Sequence, residues 1–376
     1  DMTLRVAAGR RRRETRHDCG VGEIVVVTGA DLPIGRRVVA AALSEPGVDR
    51  VVAIGAQPST RRLTGEAEGA ELLIAPFALD DSRLASLVAG ATRVFLTGPR
   101  SGLDIDGTGG ADIDVVATRS FLASLTRVGA VTTLVVLSSA LVYGARTDNP
   151  IPLTENAPVR PNASIDAAVE RAELERLCAT WSRSRGATCA LVRPCIVVGP
   201  ENEKWLARSP WATAGLQISG GVAPVQFVHL DDLTTALVTI CRSRVDGPVN
   251  VAPDGWLTVD EVRALKGPTA RVRMYKPFAY VLARIGKYFG VAPGDPDTLL
   301  AGAGPWVVAN DRIRSLGWEP RFRNEEAYVD ADSGGIWARV TPRHRQQLAL
   351  GGVAMVVLGV VVGAAFLIRR QLNSDR

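Results

Sequence analysis

A doubly wound parallel α/β sheet with a smaller C-terminal α/β lobe is the fold this 376-residue sequence predicts. Short apolar runs alternate with stretches of helical spacing. The runs are apolar at every position, as strands covered on both faces are. Hydrophobic residues make up 47% of the chain, enough for a large core.

The elements follow in order. Glu23–Thr28 (EIVVVT) is a β-branched run that meets a turn at Gly29 and a helical pattern from Pro33, a residue suited to a helix's first turn. Val51–Ile54, Leu72–Ile74, Val94–Leu96 and Leu134–Leu137 read as further strands, with helices over Ser82–Val88 and Asp114–Val128 between them. A helix follows Pro161, and a sixth strand, Ala190–Val192, ends in Arg193-Pro194. After Pro200 the texture loosens, with Gly220-Gly221, Gly247-Pro248 and Pro253–Gly255 separating smaller elements. The boundaries predicted are a disordered basic arm over 1–20, the sheet domain over 21–200 and a lobe over 201–330 interleaved with it. A linker over 331–347, a membrane helix over 348–368 and a tail over 369–376 complete the chain.

The net charge of +5 is local. Residues 1–17 carry six Arg (5, 10, 11, 12, 13 and 16) against Asp1 and Glu14, six minus two, while the rest is nearly neutral. That excludes a nucleic-acid footprint. The arm reads as a solvated tail, with contact to anionic lipid or a misplaced start site as alternatives. It lacks the apolar core of a cleaved signal, which argues for a cytosolic domain. Five cysteines form no CxxC pair, and His occurs only at 17, 229 and 344, so no metal is expected.

From Leu348 to Ile368 the chain carries no charge (LALGGVAMVVLGVVVGAAFLI), with Arg343 and Arg345 before and Arg369 and Arg370 after. That is about the ~20 residues a bilayer crossing needs. Gly359 and Gly363 form a GxxxG that suits helix pairing. The expectation is a single-pass membrane protein with its bulk in the cytoplasm.

Several motifs stand in a telling order: Thr28-Gly29-Ala30-Asp31-Leu32-Pro33-Ile34-Gly35, Ser138–Gly144 (SSALVYG), Pro152–Glu155, Leu191–Pro194 with Gly199-Pro200, Phe227–Asp232, Val249–Val251 and Leu316–Pro320. Together they resemble the extended short-chain dehydrogenase/reductase superfamily of NAD-dependent epimerase/dehydratase type, over residues 23–330. The resemblance implies a Rossmann-like sheet. It places a dinucleotide on Thr28, Gly29, Leu32, Ile34 and Gly35 of the turn, on Thr97 and Ser138 at strand ends, and on Arg193 and Pro194. Arg61, with Arg62, lies where a 2′-phosphate would sit, which favours NADP over NAD; a solvated basic pair is the alternative.

The sequence departs from the pattern at the functional positions. The second glycine of the turn, needed for close backbone approach to a pyrophosphate, is Leu32. Asp31 adds a carboxylate at the helix start and is expected to cap it. The second strand ends in Gly55-Ala56-Gln57, without the family's ribose-binding acid. Weakened or lost binding of NAD or NADP follows. Catalysis in the superfamily passes a proton through Tyr, assisted by Lys one turn later, with Ser steadying the substrate oxygen. Ser139 fits the Ser position. Ile165 and Val169 occupy the Tyr and Lys positions in the register that puts Glu173 at the family's acidic position, and no Tyr or Lys lies between Tyr143 and Lys204. Tyr143 and His229 read as structural.

Two functions are carried forward. One is a membrane-tethered pseudoenzyme, a docking or ligand-sensing module with a protein partner or small ligand. The other is an active enzyme on a nucleotide-sugar, isoprenoid or sterol-like substrate with atypical acid–base groups. The charge-free run makes a direct prediction: the full-length protein stays with membranes through carbonate and high-salt washes, and its release by either wash would refute the anchor.

Overall fold

The computed structural model describes residues 4–6, 22–55, 70–76, 81–98, 112–199, 216–219, 223–266, 272–275, 281 and 304–332. The sheet strands are β1 (Leu4–Val6), β2 (Glu23–Thr28), β3 (Val48–Gly55), β4 (Glu71–Pro76), β5 (Arg93–Leu96), β6 (Thr133–Leu137) and β7 (Thr188–Pro194). The helices between them are α1 (Pro33–Leu43), α2 (Asp81–Leu87), α3 (Asp112–Val128) and α4 (Asp166–Arg185). Beyond come β8 (Ile196–Val198), β9 (Leu216–Ser219), β10 (Phe227–His229), α5 (Leu230–Arg242), β11 (Gly247–Val251) and α6 (Val259–Lys266). The last described elements are β12 (Val272–Tyr275), α7 (Asp311–Ser315) and α8 (Asn324–Asp332).

Seven strands lie parallel in the order β4-β3-β2-β5-β6-β7-β11. Strand side chains alternate between two cores. Val25, Val27, Val135 and Val192 face α1 and α5, where Ile34, Val38, Leu233 and Leu237 are buried. Val26, Val52, Val94 and Val136 face α2, α3 and α4, meeting Leu84, Phe121, Leu125 and Leu174. This two-sided burial is what the continuous apolar runs required.

The lobe threads back into the sheet. β11 pairs with β7, Val249 opposite Val192 and Val251 opposite Pro194. β8 pairs with β10 and β9 with β12 in separate two-stranded ribbons.

Two boundaries need correction. Leu4–Val6, inside the arm expected to be disordered, form a strand antiparallel to β4, because the outer edge of β4 presents unpaired backbone groups. α8 runs to Asp332, past the start of the expected linker. Asp330 on that helix pairs with His229 Nε2 at 3.1 Å. The 348–368 run and Arg61 lie outside the described residues. Among the described residues no helix is long and apolar enough to cross a membrane.

Cys178, Cys189, Cys195 and Cys241 are buried thiols outside any disulfide. Burial pushes Cys189 up to about 12 and Cys241 up to about 11, so they pack as small apolar groups. No group of three His, Cys, Asp or Glu among the described residues is placed to hold a metal ion.

His229 caps α5: its Nδ1 accepts from Asp231 N at 3.2 Å, which leaves Nε2 protonated to donate to Asp330. Asp232, 1% exposed, accepts Arg321 N and Phe322 N at 3.0 Å each and anchors the segment entering α8. Asp232→Ala strands both donors and should cost about 2–4 kcal/mol in urea unfolding, with Asp232→Asn losing less.

Candidate functional site

The C-terminal ends of the parallel strands gather most of the residues singled out in the sequence. Thr28, at the end of β2, donates its hydroxyl to Gly98 O at 2.5 Å, and Thr97 donates to Thr28 O at 2.5 Å. These two buried hydroxyls clamp β2 to the end of β5 and are spent on the framework. Gly29 then turns the chain at φ +68°, and Leu32 N donates to Gly29 O at 2.9 Å to close the turn. A Cβ at Gly29 would stand 3.0 Å from Gly98 N and from Leu32 Cδ1; one at Gly35 would collide with Gly29 O. Both glycines are therefore required by packing alone, and Leu32 folds its side chain over Gly29.

The N-cap position of α1 falls on Leu32, one residue after the expected Asp31, at φ −86°, and the Leu32 side chain makes no cap hydrogen bond. Asp31 is carried one residue too early, because Ala30 N is held by Ile54 O at 3.0 Å and points the following side chain toward β3. Its carboxylate fills the space in front of Gly55: a Cβ built there would run into Asp31 Oδ1 and stand 3.1 Å from Asp31 Cγ. Ile34, the first α1 residue after Pro33, is fully buried.

At the end of β6, Ser138 N donates to Val192 O at 2.7 Å, while its buried Oγ finds no partner among the described residues. Ser139 Oγ accepts from Leu141 N at 3.2 Å and caps the 3₁₀ turn Ala140–Tyr143. Ser139 is thus positioned at the strand end by a turn that depends on it.

Arg193 does not line the cleft. Its guanidinium makes a two-pronged pair with Glu175, Nε to Oε1 at 2.9 Å and Nη2 to Oε2 at 2.6 Å, both side chains 5% exposed. Nη1 donates to Tyr143 Oη at 2.9 Å, and that hydroxyl donates to Asn250 Oδ1 at 2.8 Å. Asn250 closes the network with Nδ2 to Leu153 O and N to Glu155 Oε1. Burial alone would lower Arg193, but the Glu175 carboxylate more than offsets it and holds the guanidinium charged. Burial pushes the Tyr143 phenol up, against the pull of Arg193. Arg193 and Pro194, expected against a cofactor, are a buried brace and the buried end of β7.

Ile165 and Val169, expected at the proton-transfer positions, do not sit alike. Ile165 is the buried N-cap of α4, Val169 is 41% exposed, and Glu173 lies at the surface, where Arg176 at 2.6–2.7 Å holds its carboxyl below the usual range. The neighbouring stripe reaches the strand ends: Arg171 Nη1 donates to Leu137 O at 3.1 Å, and Glu175 meets Arg193 one turn later. One turn before Arg171 stands Ala167. The sequence reading passed over Arg171, Glu175 and Asn250. The available signal was the run Arg171…Glu175 at i,i+4 with a strand-borne Arg beyond it. Glu175→Gln leaves Arg193 buried without its counter-charge and should cost about 3–5 kcal/mol in denaturant unfolding, whereas Glu173→Gln on the surface should leave stability unchanged.

With this geometry in view, comparison with known proteins is informative. Residues 25–252 match the model of the NAD dependent epimerase/dehydratase family. An uncharacterised protein, y4nG of Sinorhizobium fredii, is 26% identical over 207 residues, 52% of this chain and 51% of its own length, so the match spans about half of that relative. The uncharacterised protein Rv0501 of Mycobacterium tuberculosis is 23% identical over 337 residues, 86% of this chain and 87% of that protein. Among solved structures, the dTDP-glucose 4,6-dehydratase DesIV of Streptomyces venezuelae, determined with NAD bound, superposes with a TM-score of 0.62 at 17% identity, covering 84% of this chain and 97% of that one. The turn at Gly29, the strand order and the match across β2 to β11 agree: the chain belongs to the NAD-dependent epimerase/dehydratase family of extended short-chain dehydrogenases/reductases.

Proposed function

We propose that this chain is a membrane-tethered nucleotide-binding member of its family that has given up the proton transfer, and that it works as a ligand-sensing or docking module. The observation that carries the reading is the Glu175–Arg193 pair, which marks the register of α4 against the sheet. In that register the proton-donor position is Ala167 and the cation position is Arg171, already donating to Leu137 O. Alanine has no proton to move. A guanidinium stays charged at any working pH and cannot relay one. Tyr143, the phenol next along the chain, is held between Arg193 and Asn250 with its acidity reduced by burial.

The dinucleotide that the family implies fits part of what is present. The turn Gly29–Gly35 keeps the backbone shape, and the start of α1, whose N-cap Leu32 brings no side-chain cap, is where phosphate oxygens would sit. Leu32 over Gly29 takes space that a glycine would leave open, which supports binding weaker than in a glycine turn. A nicotinamide, when bound, supplies a hydride acceptor. This chain's contributions are holding the phosphates on α1 and orienting Ser139 at the end of β6. The 348–368 run supplies the tether in this reading.

The test is on the purified full-length chain. NADH should bind, measured by its fluorescence, and neither UDP-glucose nor dTDP-glucose should turn over. Loss of an acid–base group costs a factor of ~10²–10⁴, so turnover at ordinary enzyme rates in the unmodified protein would overturn the reading. Ala167→Tyr combined with Arg171→Lys should raise turnover above background. Ile165→Tyr with Val169→Lys should not, and the reverse result would show that the register is wrong.

A further inference from the structure

We infer that the edge of the sheet opposite the cleft, where α3, α4 and α5 end, seats on the phosphate headgroups of an anionic bilayer, so that the cleft opens away from the membrane toward water. This rests on the membrane tether of the reading above and adds the orientation of the domain upon it.

β6, β7 and β11 lie side by side, with Thr133 opposite Thr188 and Ala190 opposite Gly247. Each of these strands is entered from a helix, so the ends of α3 (Val128), α4 (Arg185) and α5 (Arg242) come to one edge. Ser138 and Ser139 stand at the other end of β6, a strand's length away. The three connections, residues 126–132, 183–187 and 242–246, carry Arg127, Arg183, Arg185, Arg242 and Arg244, all exposed, and one carboxylate, Asp246. Arg242 Nε pairs with Glu45 Oε1 at 3.0 Å from the neighbouring loop. Five arginines less these two acids leave three positive charges. Arg183 donates to Ala179 O and Thr180 Oγ1, which are neutral acceptors. Arg185 Nη2 lies across the end of α3, 3.6 Å from a Cβ built on Gly129, and so joins the ends of α3 and α4 into one surface.

The helix dipole favours a cation in the last turn, and that accounts for the arginines inside the helix ends. Arg244 is different. α4 closes on Gly186 at φ +66°, with Gly186 N bonded to Arg183 O and Ala187 N to Ser182 O. α5 closes in the same pattern, Arg244 N to Cys241 O at 3.2 Å and Val245 N to Ile240 O at 3.5 Å. There the left-handed residue is Arg244 at φ +48°, the one non-glycine at positive φ among the described residues. Glycine adopts that conformation freely and arginine at a cost. The charge is kept on this edge against the local preference of the backbone.

The donor fork of a guanidinium matches phosphate oxygens, and an anionic leaflet attracts arginines that lie within a Debye length of it. Fifteen residues, 333–347, separate Asp332 from the charge-free run that begins at Leu348. Their span is at most about 50 Å, more than the ~30 Å length of α4. The tether therefore holds a bilayer within reach of this edge, an advantage in local concentration that a soluble polyanion lacks. A ligand enters the cleft from water in this orientation, which suits a nucleotide better than a membrane-dissolved substrate.

Ser164 and Ser184 are exposed near the two ends of α4, and the four described cysteines are buried. A fluorophore on Ser164→Cys or Ser184→Cys, each in a full-length Cys19→Ser chain, reports which end meets lipid. The vesicles are phosphatidylcholine with one part in three phosphatidylglycerol and a headgroup-linked quencher. The label at 184 should be quenched and the label at 164 should not. High salt, or phosphatidylcholine alone, should abolish the difference. Arg244→Gly should lower the ratio of seated to unseated protein about fivefold, the share of one arginine at an anionic surface, and should not lower the melting temperature. Arg183→Gln with Arg185→Gln should lower that ratio further. Quenching at 164, equal quenching of both labels, indifference to lipid charge, or unchanged quenching in these variants would overturn the inference and leave the tether standing. Release of the protein from the vesicles by carbonate would overturn the tether. The seat is then decided by flotation at low salt: the released chain should rise with the anionic vesicles and not with the neutral ones, and any other result would overturn it too.

Discussion

A single buried ion pair fixes how this fold is assembled around its cleft. Glu175 and Arg193 face each other from α4 and β7, two elements that share no local sequence, and each charge is tolerable in the interior only because the other is there. Through Tyr143 and Asn250 the same network reaches the 3₁₀ turn after β6 and the returning strand β11. Four elements are therefore aligned by side chains with no freedom to slide. An aliphatic contact at these positions would accept a shift of a residue; a two-pronged guanidinium–carboxylate pair does not. The depth of α4 on the sheet, and with it the identity of every residue turned toward the strand ends, follows from this pair.

Several of the polar residues at the strand ends hold the framework together. The tight turn needs Gly29 and Gly35 for packing whether or not a ligand is present, and Thr28 and Thr97 are committed to clamping strands. Ser139 is committed to its turn. These positions persist for structural reasons, so their presence says little about activity.

Much of this was legible in the sequence. The strands were readable because fully covered strands are apolar at every position, and the helix after Gly29 because a glycine turn followed by proline has few other readings. The arm was misjudged at Leu4–Val6, since pairing with an open sheet edge depends on where β4 lies and not on local composition. On α4 the carboxylate that meets the core is Glu175, two residues after the Glu173 singled out in the sequence. Glu173 and Glu175 are equivalent as letters, and only the position of Arg193 across the core tells the buried carboxylate from the exposed one. Asp31 was read as a cap because its local sequence suits one; the bond from Ala30 to Ile54, set by β3, turns it elsewhere. Each error arose where a distant element decides between local options of similar energy.

The two margins of the sheet bear on how other proteins could meet this one. At one margin β1 occupies the hydrogen-bonding row of β4. At the other, β11 has Pro248, which offers no donor, and its carbonyl accepts from Arg312 Nη1 at 2.6 Å while Asn250 N is taken by Glu155. Among the described residues, a strand adding at the β11 margin would meet a missing donor at Pro248 and backbone groups already bonded to Arg312 and Glu155, whereas at the other margin β1 pairs with three residues of β4. At the β11 margin, backbone pairing by another strand is therefore disfavoured, and contact there falls to side chains, which are selective by shape and charge.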